Sequence, residues 1–162
     1  MIEFESGYDG RPGLASLEPC DTELVTGFFR RLSAESVYRR FFSPIAKPER
    51  FTASILRVDD HDREAVAAVE GDELVGIAQY SRLPGARQAE LAIVVADDRQ
   101  GQGIGTRLVA ALADRAVTHG IDAFAVDIQG DNHGAMRLLR RINPDVRLKF
   151  ASGVGEGVIP LA

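Results

Sequence analysis

The sequence predicts an α/β domain, a mixed and mostly antiparallel sheet with one parallel strand pair inside it and helices on both faces. Three observations predict it. Apolar residues recur at helical spacing from Leu24 to Phe42, short apolar runs divided by turn residues follow from Ala65 to Val95, and a strand–helix–strand succession occupies residues 88–128. In such a succession the two strands lie parallel and the crossover is right-handed.

Residues 1–13 are polar and hold Gly7, Gly10, Pro12 and Gly13, which reads as a flexible N-terminal arm; residues 14–162 read as one domain, opened by a short strand near 14–17. Asp21 stands where a helix N-cap belongs, before Leu24, Val25, Phe28, Phe29 and Leu32 on one face. Ser33 caps a second helix carrying Val37, Tyr38, Phe41 and Phe42, which Pro44 ends, and a third short helix is expected over 49–56. Strands follow at 65–70 and 74–81, joined by the turn Gly71-Asp72, and at 88–95 after Pro84-Gly85. The strand 88–95 is almost continuously apolar after Glu90, which predicts burial on both faces. A helix over 103–119 carries Ile104, Leu108, Ala111, Leu112 and Ala116 as one stripe and ends at Gly120, a C-terminal glycine cap. A buried strand at 123–128, an amphipathic helix at 132–142 and a hairpin of 147–151 with 157–161 complete the chain. Pro160 predicts an edge position for the last strand.

The chain has 162 residues, 45% of them hydrophobic and 27% charged, enough to bury a core and typical of a water-soluble chain. Its formal net charge of -5 argues against nucleic acid as a partner, since phosphate backbones require a concentrated basic surface. Cys20 is the one cysteine and His61, His119 and His133 lack ligand spacing, so neither a disulfide nor a metal site is expected. No apolar run approaches membrane-spanning length and residues 1–13 lack a signal-peptide core, which makes a cytoplasmic protein the expectation. The sequence leaves monomer and homodimer equally open.

The most informative stretch runs from Val94 through Asp97, Gln100, Gly101, Gln102, Gly103, Ile104 and Gly105 to Thr106, a buried strand leading through a glycine-rich turn into a helix. Glycines at alternate positions let backbone approach a ligand and turn its N–H groups inward, while the helix start adds unpaired donors and a positive dipole end. Together they make an anion site suited to phosphate or pyrophosphate. A Walker loop would need lysine after its glycine, and Gly105-Thr106-Arg107 has none; a dinucleotide fingerprint would need glycine where Thr106 or Leu108 stands.

Gln100-Gly101-Gln102-Gly103-Ile104-Gly105, the buried strand before it, the long helix after it and Asn132 at the next helix start together resemble the GNAT acetyltransferase family, over about residues 15–160. The resemblance implies the GNAT fold, whose central parallel strands splay apart, and acetyl-CoA as cosubstrate with no metal. It implies that the amides of Gln100 to Gly105 and Thr106 hold the pyrophosphate. The backbone of Ile93, Val94 and Val95 would pair with the pantetheine arm, and Asn132 would contact that arm; a plain helix N-cap is the other reading of Asn132.

Acetyl transfer to an amine needs a base to take the amine proton and a donor for the charge that develops on the acyl group. Glu90, at the start of the buried strand, is the candidate base; the backbone N–H of Val94 is the candidate donor. The stretches Gln88-Ala89-Glu90-Leu91-Ala92, Leu32-Ser33-Ala34-Glu35-Ser36-Val37-Tyr38-Arg39-Arg40-Phe41-Phe42 and Val94-Val95-Ala96-Asp97 resemble the bacterial protein-lysine acetyltransferases within that family. That implies an amine acceptor, a protein lysine or a small amine; a non-catalytic acyl-CoA-binding module is the alternative. Many members carry a tyrosine acid in the last helix, but residues 133–142 hold none here, and Asn143-Pro144 replaces the usual Gly-Phe. Tyr38 and Tyr80 read as packing residues, and Arg39-Arg40 and Arg140-Arg141 as solvated charge.

Overall fold

The computed structural model describes residues 10–42 and 47–161. Strand β1 (Gly13–Ser16) precedes helices α1 (Thr22–Arg31), α2 (Ala34–Phe41) and α3 (Pro48–Ile55). Strands β2 (Arg63–Glu70), β3 (Glu73–Arg82) and β4 (Gln88–Val95) follow, then a short 3-10 turn (Asp97–Arg99) and α4 (Ile104–Thr118). Strand β5 (Ala123–Gln129), helix α5 (His133–Ile142) and strands β6 (Lys149–Ala151) and β7 (Val154–Pro160) end it. The sheet runs β1-β2-β3-β4-β5-β7-β6, antiparallel except for β4 and β5. Residues 1–9 of the expected arm and Pro44, expected to end α2, lie outside the described residues. Of the arm's last residues, Gly13 pairs with Val69 in β1–β2 and the Pro12 carbonyl accepts a hydrogen bond from Arg107 at 2.8 Å.

Period-two alternation assigns each strand residue to one of two cores. Ala65, Ala67, Val69, Ile77 and Val94 pack under α1, α2 and α3 with Val25, Phe28, Phe29 and Phe51. Val66, Ala68, Ala78, Ala89, Leu91 and Ile93 face α4 and α5 with Leu108, Leu112, Phe124 and Leu139. Burying one such aromatic or branched side chain stabilises the fold by about 1.5–3 kcal/mol, so the two cores dominate its stability.

Local signals act as read at α2 and α4. Ser33 Oγ accepts from the Ser36 amide at 3.1 Å. Gly120, at φ 77°, closes α4: its N–H reaches the Val117 carbonyl and that of Ile121 the Ala116 carbonyl, the two bonds of a Schellman motif. Asp21 departs from expectation, since its side chain makes no cap bond to α1 and accepts from the Glu18 amide instead. The last strand is not at the edge. β7 lies between β5 and β6, and the Leu161 N–H bonds Asp122, so by alternation the nitrogen of Pro160 faces away from β5, where three-residue β6 does not reach. The missing donor breaks no ladder there.

Tyr80 is buried, far from any role as a surface acid. Its hydroxyl lies 2.9 Å from the His61 carbonyl, 3.1 Å from Glu64 Oε2 and 3.2 Å from His119 Nδ1, and burial followed by the Glu64 charge pushes the phenol well above its ordinary range. Arg82 joins this cluster to the end of α4 by donating to the His119 carbonyl. Tyr80→Phe should lower stability by about 1 kcal/mol, read as the urea midpoint, and leave turnover unchanged. Among the described residues no helix is long and apolar enough to cross a membrane, and no group of three or more His, Cys, Asp or Glu could hold a metal ion.

Candidate functional site

The site begins with a split in the sheet. β4 pairs with β3 along its whole length, to Val95 opposite Gly76, but with β5 only at Gln88↔Ala123, Ala89↔Phe124 and Glu90↔Ala125. Beyond Glu90 the parallel strands separate. The opening leaves Leu91, Ala92, Ile93 and Val95 half-buried, where the sequence predicted a strand covered on both faces. Gly105 permits the approach of α4 to this opening, because a Cβ there would meet Leu138 Cδ2 at 3.0 Å and Ile93 Cδ1 at 3.4 Å.

A cleft of about 440 Å³ lies against the C-terminal half of β4, where β4 has left β5. Ile93, Val94 and Val95, the loop residues Gln100, Gly101, Gly103, Ile104, Gly105 and Thr106, and Asn132 all line it. Gln102 does not; its side chain turns back toward the Asp98 carbonyl at 3.5 Å. Gly101 and Gly103 have φ of 78° and 82°, the left-handed region where a side chain is strained. Gly103 caps α4 with no side-chain bond, the first turn of α4 holds no acid, and Arg107 is the first residue to bond back, to the Gly103 carbonyl. The amides of Ile104, Gly105 and Thr106 therefore keep the free donors of a helix start. Gln100 Nε2 ties the loop to the Val95 carbonyl at 3.1 Å. Asn132 lines the cleft, and its Oδ1 caps α5 by accepting from Ala135 at 3.1 Å.

Hydrogen-bond parity corrects the role expected of Val94. Ala96 N–H bonds Val75 directly opposite, and Leu83 N–H bonds Gln88, so the even-numbered residues of β4 direct their amides and carbonyls at β3. The N–H of Val94 is spent on the ladder and cannot serve the acyl oxygen. The backbone groups turned to the split are those of Leu91, Ile93 and Val95. Side chains follow the same parity: Glu90 lies exposed on the face that Val94 shares with α1, α2 and α3, at the last paired residue before the opening.

Sequence reasoning missed the cationic wall. Arg39, Arg40, Arg99, Arg137 and Arg141 all line the cleft. Arg39 and Arg40, with Arg141, had read as solvated charge. Arg99 pairs with Glu70; Arg39 pairs with Glu35 at 2.7 Å and reaches the Asp131 carbonyl at 3.3 Å, linking α2 to the start of α5. The available signal was the four-residue spacing of Arg137 and Arg141, which sets both on one face of the helix that Asn132 opens.

Asp97 fastens α2 against the end of β4. Its carboxylate accepts from Ser33 N and Ser33 Oγ, both at 2.9 Å, and from Ser36 Oγ. Burial alone would raise its pKa; the bonds from Ser36 and Ser33 outweigh that and hold it below the ordinary range. A depressed carboxylate stabilises the fold above its unfolded pKa of about 3.9 and loses that contribution as pH falls through the lower folded value. Asp97→Ala should lower stability by about 0.5–1 kcal/mol at neutral pH, solvent screening at this exposed residue keeping the effect small, and the difference from wild type should shrink in acid. Urea titrations at both pH values read it.

The fold and cleft define a class: an α/β domain whose parallel strands part beside a cleft lined by a glycine loop and a helix start. Residues 31–143 match the acetyltransferase (GNAT) family, and the chain belongs to it. It is 33% identical over 128 residues to Acetyltransferase Pat of Mycolicibacterium smegmatis, covering 76% of this chain and 38% of that protein. It is 26% identical over 113 residues to the L-2,4-diaminobutyric acid acetyltransferase of Methylotuvimicrobium alcaliphilum, covering 68% and 66% respectively. The chain thus spans less than two thirds of either relative. The solved GNAT domain of S. lividans PAT shares the fold, with a TM-score of 0.82 at 24% identity over 96% of this chain and 99% of that one. A phosphinothricin acetyltransferase from Sinorhizobium meliloti, solved with acetyl-CoA, superposes with a TM-score of 0.73 at 18% identity over 94% and 89%.

Proposed function

We propose that this chain moves the acetyl group of acetyl-CoA to a primary amine by direct transfer, with Glu90 as general base. The observation that carries the reading is the position of Glu90, at the last paired residue of the strand pair whose opening forms the cleft. A thioester delivered through the split would end beside it. The residues present fit the donor: free helix-start amides and left-handed Gly101 and Gly103 suit a pyrophosphate, and the open backbone edge of Ile93 and Val95 suits an extended amide-bearing arm. Asn132, which lines the same cleft, offers a further polar contact. Acetyl-CoA supplies the activated acyl group; the chain orients it, excludes water along the apolar wall of Ile93, Ile104 and Leu138, and takes the amine proton at the Glu90 carboxylate.

A protein lysine is the acceptor we favour, on the sequence likeness of the Glu90 strand and of α2 to bacterial lysine acetyltransferases. The exposure of Glu90 is compatible with a macromolecular acceptor. The second reading, a small amine, is supported by the diaminobutyric acid acetyltransferase relative. Labelled acetyl-CoA incubated with the purified protein and a cell extract decides between them. Enzyme-dependent label in protein is the expected result, and label in the small-molecule fraction replaces lysine with an amine metabolite. No transfer despite acetyl-CoA binding would make the chain a non-catalytic acyl-CoA-binding module.

A further inference from the structure

Arg40, on α2, lines the cleft wall on the face of β4 where Glu90 lies. It lines the cleft together with Val94, and it lies close enough to Glu90 for that carboxylate's charge to act on it. Glu90 itself is not part of the cleft lining; Arg40 therefore stands where the donor cleft meets the face on which Glu90 receives the acceptor. Of the other wall arginines, Arg99 lies beside the glycine loop, Arg137 and Arg141 on α5, and Arg39 on α2 is turned to Glu35 and the Asp131 carbonyl.

Its partners are unusual for a half-buried cation. The guanidinium carbon sits 4.5 Å from the centre of the Phe41 ring, and Phe41 in turn stacks on Phe51 at 3.8 Å. Among the described residues Arg40 makes no hydrogen bond and no ion pair, not even with Glu90, although Arg39 beside it has both. An aromatic face thus orients the cation while its N–H groups stay uncommitted. Burial, opposed in part by the Glu90 charge, lowers its pKa to about 10, so it keeps its proton at neutral pH and acts as a fixed charge.

We propose that Arg40 stabilises the negative charge left on the coenzyme A sulfur as the acetyl group departs. The inference rests on Glu90 marking the point of transfer. In the step, the amine nitrogen bonds the acyl carbon, the carbon–sulfur bond breaks with its electron pair going to sulfur, and the amine proton passes to Glu90. The thiolate is later protonated by water. Arg40 neither gains nor loses a proton. Other charges near it are Glu35 and Arg39 on α2, Glu90 on β4 and Asp97 after it; Glu35 and Asp97 are already bonded to Arg39 and to Ser33 and Ser36.

The test titrates the thiol of bound coenzyme A by its ultraviolet thiolate absorbance, in wild type, Arg40→Met and Arg40→Lys. This readout needs neither an acceptor nor a working Glu90. The expected result is a bound thiol about tenfold more dissociated at a given pH in wild type than in Arg40→Met, with Arg40→Lys between them. Turnover of Arg40→Met should fall by about 10- to 100-fold with KM for acetyl-CoA unchanged. Thermal melting confirms that each variant is folded, and Arg40→Lys keeps the aliphatic stem should Arg40→Met not fold. A bound thiol that titrates identically in all three proteins overturns the proposal. If Glu90→Gln keeps full turnover while the thiol shift is seen, the base assignment fails and Arg40 stands; if wild type does not bind coenzyme A, both fall.

Discussion

Glu90→Gln should lower kcat by about 10²- to 10⁴-fold while leaving acetyl-CoA affinity unchanged, because general base catalysis is worth that much and the glutamate lies outside the cleft lining. Glutamine keeps the size and the β-ladder of residue 90, so the loss reads chemistry and not folding. Raising the pH should restore part of the rate, since a lysine-type amine with a pKa of about 10.4 then arrives already neutral and needs no base. Steady-state kinetics against pH, with calorimetric titration of acetyl-CoA, check both halves. A variant with near-wild-type kcat at neutral pH would remove Glu90 from the mechanism and leave the cofactor cleft untouched.

The second large effect is expected at Gly103. Its φ of 82° lies where a β-branched residue is an outlier, and no atom within 4 Å of a built Cβ would prevent a side chain from entering the open space. Strain of about 1–2 kcal/mol would turn the loop out of its left-handed geometry and misalign the amides of Ile104 to Thr106. Gly103→Val should therefore weaken acetyl-CoA binding by about 5- to 30-fold. Gly85→Val supplies the control. Gly85 has φ of 67° and equally open surroundings, in the β3–β4 turn away from the cleft, so it should lose stability without losing affinity. Equal loss of affinity in both variants would show that the effect at Gly103 is general destabilisation.

Much of this site was legible because the physics that makes it is local. Alternate glycines before an apolar helical stripe predict a left-handed turn with free amides at a helix start, since these are properties of a few consecutive residues. Asn132 was legible as the cap of α5 for the same reason. Glu90 could be read only as a carboxylate at a strand start. The arginines were opaque: two adjacent residues on a helix point about 100° apart, and which of them faces a cleft depends on what the helix packs against. Arg39 and Arg40 line it from α2 because Asp97 fastens Ser33 and Ser36 to the end of β4, a contact across more than sixty residues of sequence.

The sequence by itself determined the periodicities, hence the elements and their two apolar faces, and it determined the glycine turn with its family. The tertiary structure alone decided where β4 and β5 part, that the amide of Val94 is committed to β3 while those of Ile93 and Val95 face the opening, and that β7 lies between β5 and β6. Each of these is a matter of register and pairing partner. Hydrogen-bond direction alternates along a strand, so one residue's role inverts with the parity of a pairing that depends on segments far away in the chain.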